Sequence, residues 1–387
     1  MAILNRNSNT FISEVQSTTQ GTVPAADNSS IGSDLTAWNS FKTLLNKSVA
    51  GGSLFSSGVV STYSLVYTYG VGYAGGVLAP NGDIHFVPNA TPVGLKVSAA
   101  GVVSTYSLVY TGSYVYTGGV LAPNGDIHFI PAQARVGQKI NTNTGVVSTY
   151  SLVYTTGTGA YTGGVLAPNG DIHFIPNSGI VGQKINTNTG VVSTYSLVYT
   201  LTGFYPNLYN GGVLAPNGDI HFVPAQAQVG QKVSASGVVS TYSLIHTNGS
   251  NSNYIGGVLS HNGDIHLVPF RARVGQKISV SGVVSTYSLV YSGVNGEYYG
   301  GVLAPNGDIH FVPFWAPYGQ KVSALGIVST YNILISSPYF YAGGILTPNG
   351  EIHFIPNSNM KAGQKISTNP GIPFNIGTCL SPFFNKF

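Results

Sequence analysis

Along most of this chain, short runs interleave β-branched and aromatic residues with Ser and Thr, the composition of strands that are half buried. VVSTYSLVYT (59–68) is the first such run, and near-copies of it recur to the end of the array. After each comes a variable stretch, then GGVLAP, then a turn such as Pro80-Asn81-Gly82-Asp83. Proline presets φ there and Asn-Gly accepts positive φ, so two strands meet at a tight reversal. DIHFVP follows, then a short loop, a strand around Lys96–Ser98, a turn at Gly101 and the VVSTYSLVYT run again. The pattern predicts four antiparallel strands per module and no helix among them. Paired glycines at Gly75, Gly118, Gly163, Gly211, Gly256, Gly300 and Gly343 mark seven modules, 43 to 48 residues apart. A period in that range belongs to a solenoid or a propeller.

The ends of the array separate these two. A solenoid needs distinctive capping repeats, whereas a propeller can complete its final blade with a strand from the opposite terminus. Here a lone copy of the fourth strand opens the array (Val59–Thr68), and the array closes at Gly363–Ser367. The fourth strand due next is interrupted by Pro373, which removes a ladder donor. The expected fold is therefore all-β: a seven-bladed β-propeller of four-stranded antiparallel blades over residues 58–371, its N-terminal strand closing the last blade. Residues 1–57 form an N-terminal arm and 372–387 a C-terminal tail.

Composition narrows the setting. Charged residues make up 7%, against roughly 25% in ordinary soluble domains. The surface must be built from Ser, Thr, Asn, Gly and Tyr, which suits an extracellular or particle-bound protein. The net charge of +4 is dispersed over the modules, so no contiguous basic groove and no nucleic-acid partner is expected. Cys379 is the only cysteine, which rules out an intrachain disulfide. No apolar run is long enough for membrane insertion, and the first residues lack the pattern of a signal peptide. In the arm, Ser33 as N-cap and Leu35, Trp38, Phe41, Leu44 and Leu45 at helical spacing predict one short helix from Asp34 to about Lys47. Its apolar face packs either on its own domain or on another subunit of a larger assembly.

The module lacks the Trp-Asp pair of WD repeats and the spaced tryptophan of kelch repeats, although it shares the kelch double glycine. With its Gly-Gly strand and Pro-Asn-Gly-Asp turn it resembles the GGVLAPNG-type repeats of tailed phages, marine ones especially, and of some large viruses. The resemblance covers residues 58–371 and brings no catalytic residues with it. It implies a virion protein assembled in the host cytoplasm: a tail fibre, head fibre or decoration, multicopy or homo-oligomeric. Residues 1–57 would contact other virion proteins, and the propeller a host surface glycan or receptor. A purely structural capsid-decoration or filament subunit is the alternative, and a polysaccharide-degrading enzyme ranks behind both.

Each module repeats one acid (Asp83, Asp126, Asp171, Asp219, Asp264, Asp308, Glu351), one imidazole (His85, His128, His173, His221, His266, His310, His353) and one ammonium group (Lys96, Lys139, Lys184, Lys232, Lys277, Lys321, Lys365). Asp-x-His invites a metal or acid–base reading. A catalytic centre is asymmetric, however, whereas these groups recur seven times in one setting. One His and one carboxylate per blade also cannot fill a closed zinc shell. Structural use is expected, with the acid accepting turn N–H groups and the imidazole bonding a neighbouring blade. No metal, no cofactor and no enzymatic activity is expected.

Four antiparallel strands put the inter-blade connectors on the same end as the loops between the second and third strands. Both sets vary while the Pro-Asn-Gly turns stay constant, and diversity gathered on a rigid frame suits a binding surface; loops that touch nothing would vary too. Tyr73, Tyr116, Tyr161, Tyr209, Tyr254, Tyr298 and Tyr341, two positions before the paired glycines, are expected either to ring the channel mouth or to pack against the next blade. Blades five and six depart most from the repeat, with Phe270, Arg271, Arg273, Phe314, Trp315 and Tyr318, and with His246 in place of tyrosine. Arg and Trp are residue types that anchor interfaces, and Arg clasps carboxylates through two parallel hydrogen bonds. With Tyr254 and Tyr298, these are the candidate ligand-binding residues.

Overall fold

The computed structural model describes residues 60–64, 72–155, 159–200, 207–247, 252–293, 295–334, 341–348, 350–356 and 362–368. The arm, with Leu35, Trp38, Phe41, Leu44 and Leu45, and the tail 372–387 lie outside the described residues. The described strands form seven four-stranded antiparallel sheets, and no helix occurs among them. In blade two the order from the axis outward is Tyr116–Leu121, Asp126–Pro131, Val136–Asn141 and Val147–Ser151. The other blades repeat it, making a seven-bladed β-propeller. The last blade closes as the chain ends predict: Val60–Ser64 pairs antiparallel with Ala362–Ser367, Val60 opposite Ile366 and Ser64 opposite Ala362.

Glycine lets seven inner strands crowd one axis. Register shifts between Tyr116 and Gly119, a β-bulge that bends the strand. Gly118 holds φ at +88°, and a Cβ there would lie 2.9 Å from the Cα of Gly163 in the next blade. Only glycine combines that dihedral with that approach.

The core lies between blades rather than within them. Tyr116, Ile127, Phe129 and Ile140 of blade two close on Val77 and Val87 of blade one. Tyr209, Ile220, Phe222 and Val233 close in the same way on Val165 and Ile175. Burying such surface stabilises by about 25 cal/mol per Å², and here only a neighbouring blade can supply the cover. The seven tyrosines belong to these clusters and do not ring the channel mouth. Tyr73 is 3% exposed and Tyr116, Tyr161, Tyr209, Tyr254, Tyr298 and Tyr341 are 0% exposed. Tyr116 packs on Phe129 with ring centroids 5.9 Å apart, and its hydroxyl donates to the Val136 carbonyl at 3.2 Å.

In blades two to seven a buried glutamine ties the blade to the one before it, a role not foreseen from the sequence. Gln138 Oε1 accepts the N–H groups of Val109 (3.0 Å) and Tyr110 (2.7 Å) as the chain leaves blade one. Gln183 holds Val153 and Tyr154 in the same way, as does Gln276 for Ile245 and His246. In blade one Leu95 takes this place.

Candidate functional site: the variable end of the propeller

At the turn end, the repeated charges meet one another. Lys139 Nζ lies 2.6 Å from Asp126 Oδ2, and Asn141 donates to Oδ1 at 2.8 Å. The Lys–Asp distance stays within 2.6 to 2.8 Å through blades one to six. Lys365 meets Glu351 at 2.7 Å in blade seven. Burial pushes the Asp126 carboxyl up, but Lys139 and Asn141 outweigh it and hold it below the usual carboxylate range. Burial, helped by the Lys139 charge, lowers His128 to about 4, so the imidazole is neutral near pH 7. Its Nδ1 lies 3.4 Å from the Tyr150 hydroxyl on the outer strand of the same blade. The expected bond to a neighbouring blade is thereby corrected: Lys139 and Ser148 sit across from His128 in the sheet, which brings Tyr150 of that sheet within reach. Among the described residues no three His, Cys, Asp or Glu side chains gather as a metal site would need.

At the other end, the connectors and the loops between second and third strands lie side by side, joined by main-chain hydrogen bonds. Val115 N–H donates to Asn89 O, Ala132 N–H to Val115 O and Ala160 N–H to Ala132 O, each at 2.9 Å. The series continues through Asn177, Leu208, Ala225, Asn253, Phe270 and Glu297 to Phe314, at 2.7 to 3.1 Å. This belt runs from blade one to blade six, so side chains that vary among the modules ride on a backbone that does not.

Blades five and six carry the densest departure from the repeat. Phe270, Tyr299 and Phe314 form an aromatic trio with centroids 5.4 to 6.1 Å apart. The Tyr299 hydroxyl is hydrogen-bonded to the Asn210 side chain two blades away, so it reaches past blade five. Arg271 is exposed, its guanidinium 5.6 Å from the Phe270 ring centroid. Arg273 is exposed beside it. Tyr318 is 43% exposed and meets Tyr291 edge-on at 6.0 Å, while Trp315 is half-buried.

Other candidates fall away from the surface. Phe314, 9% exposed, is the buried member of the trio. Tyr254 and Tyr298 are sealed between blades and cannot meet an outside ligand. His246 is half-buried against Tyr254, centroids 6.2 Å apart, in a contact separate from the trio. The buried tyrosines displace these assignments because the bulge at the paired glycines turns them into the inter-blade core.

Two residues at this end were not singled out from the sequence. Tyr299 is one, and its neighbour Glu297 is the other. Glu297 is the only acid of the blades outside the repeated position. That uniqueness was legible and marks it. Its main chain is part of the belt, its carboxylate accepts the Asn295 N–H at 3.3 Å, and the Tyr291 hydroxyl donates to it. No ion pair reaches it among the described residues. Burial pushes its carboxyl up, against the opposing pull of Asn295 and Tyr291. Beside it, the Tyr298 hydroxyl is buried without a hydrogen-bond partner among the described residues.

No protein-family model and no curated protein matches the chain. Solved structures do. Virginiamycin B lyase from Staphylococcus aureus superposes with a TM-score of 0.68 at 18% identity, over 80% of this chain and 99% of that one. A catalytically inactive variant of that lyase with quinupristin gives 0.69 at 19% identity, over 80% and 99%. A fungal alcohol oxidase in complex with copper gives 0.61 at 13% identity, over 81% and 76%. What they share with this chain is the fold. The expectation that the chain is not an enzyme is overturned by this comparison, because the same frame carries an enzyme in the lyase. Repetition of groups at one end says nothing against chemistry at the other, where connectors such as 293–299 supply asymmetry.

Proposed function

We propose that this propeller is the binding module of a virion protein, its variable end holding a host surface glycan or receptor through blades five and six. One observation carries the reading: Arg271 stands exposed over the Phe270 ring of the aromatic trio, its N–H bonded to the Asn253 carbonyl of the belt, with Arg273 exposed two residues on. Arginine at such a place suits a carboxylate-bearing sugar, and the half-exposed rings of Trp315 and Tyr318 suit the apolar face of a pyranose. Scarce surface charge and the phage-type repeat support a place on a particle, with residues 1–57 as the attachment. Weak single contacts would gain from many copies, by 10²–10⁴ in apparent affinity. The full chain on an array of neutral and acidic glycans should retain the acidic ones. Arg271→Ala with Arg273→Ala should cut that retention at least tenfold. An array without signal, or signal indifferent to both arginines, would overturn the assignment. Deleting residues 1–57 should abolish incorporation into particles while leaving the propeller folded.

Glu297 favours a second reading at the same end. A carboxyl pushed up by burial and bonded to a phenol is suited to general acid work, and lyases share this fold. Loss of quinupristin during incubation with the protein, followed by mass spectrometry, tests it. Consumption that disappears in Glu297→Gln would support the reading, and an unchanged antibiotic would end it.

A further inference from the structure

The outer rim obeys a different rule from either end. Each outer strand, such as Val103–Ser107, is hydrogen-bonded to the sheet on one side only, leaving a row of backbone N–H and C=O groups toward solvent. Around it the exposed side chains are Val102, Thr105, Ser107 and Val109, the two valines each 62% exposed. Blades two, three and five carry the same four residue types at these places, and blades four and six differ only by neutral replacements. Exposed positions are free to vary in a folded monomer, and the connectors of this very chain do vary. Identity at exposed rim positions, beside diversity at exposed loops, needs a constraint from outside the blade. Free edges in natural proteins also carry Lys, Pro or a bulge to prevent pairing. The ten residues from Val102 to Thr111 contain no charge and no proline.

We propose that the outer strands pair edge to edge with those of a second copy of this chain, so that propellers assemble rim to rim. The occupant must present a free β-edge, must match an uncharged strand and must be met alike by every blade. Strand addition satisfies the backbone groups, and the VSTYS strand of another copy meets all three conditions. This inference is independent of what the variable end binds.

Charge placed on the rim tests it. One full-length variant carries Thr62→Lys, Thr105→Lys, Thr149→Lys, Thr194→Lys, Thr241→Lys, Thr286→Lys and Thr330→Lys, and a second carries Glu at the same seven places. In sedimentation velocity, the unaltered chain should show a mass above 40.3 kDa that rises with concentration. Each charged variant should sediment as a single chain, and an equimolar mixture of the two should reassemble. Leu325→Lys, at a site 88% exposed and off the strand, should leave assembly intact. An unaltered chain that stays single, charged variants that still assemble, or a mixture that stays single would each overturn the proposal. Should a sevenfold variant fail to fold, Thr286→Lys and Thr286→Glu alone give the same readout, with weaker association separately and recovery when mixed.

Discussion

The two ends of the propeller are made by the same strands and treat charge in opposite ways. At the turn end, Lys139 faces Asp126 at 2.6 Å and Asn141 takes the other oxygen; the Lys–acid pair recurs from blade to blade, and the asparagine in blade three. At the variable end, Glu297 meets an N–H and a phenol, while Arg271 lies over a ring. Groups copied with the module are neutralised by partners copied with it. A group that arises once, such as Glu297, meets partners that are not copied with the module, here the Asn295 N–H and the Tyr291 hydroxyl. The turn end should therefore govern stability, and the variable end should govern binding.

Acid should break the comparison most completely, through the copied end. His85, His128, His173, His221, His266 and His310 are each lowered to about 4 by burial, from an ordinary 6.5. Between those values the unfolded chain binds protons that the folded chain refuses, so stability falls as pH drops from 6.5 toward 4. Each histidine contributes at most about 3 kcal/mol to that loss, and six together exceed a typical total stability. Fluorescence should report cooperative unfolding with a midpoint inside this window, and a native signal persisting to pH 4 would contradict neutral buried imidazoles.

Next in size is the axis. Gly118→Ala combines a left-handed dihedral with backbone of the next blade 2.9 Å from the new Cβ. It should cost roughly 3 kcal/mol or more in urea unfolding. Gly101→Ala has a similar φ, +81°, but nothing within 4 Å of its Cβ, and about 1 kcal/mol is expected. Equal losses would show that crowding at the axis is not what selects glycine. Gln183→Ala, which strips the acceptor from two N–H groups at a buried seam, should cost about 2 kcal/mol. Smallest is Arg271→Ala, expected to change stability by less than about 0.5 kcal/mol while ligand retention falls. A large stability loss there would place Arg271 in the scaffold.

The blades were readable from the sequence because their signals are local. Pro80-Asn81-Gly82 makes its own turn, and VVSTYSLVYT carries its own strand pattern. Closure was readable because strands can be counted: a spare one at Val60–Ser64 and a vacancy beside Ala362–Ser367. Relations between modules were another matter. The bulge at Gly118 sends Tyr116 into the seam between blades, and no residue near Tyr116 announces which side it will take. Gln138 reads as one polar residue in GQKI until the previous blade brings Val109 and Tyr110 against it. Tyr299 finds Asn210 only because the ring folds two distant modules around one axis. Short-range propensity determined the module and its number, and the choice of neighbour for each side chain waited on the curvature that closes the ring.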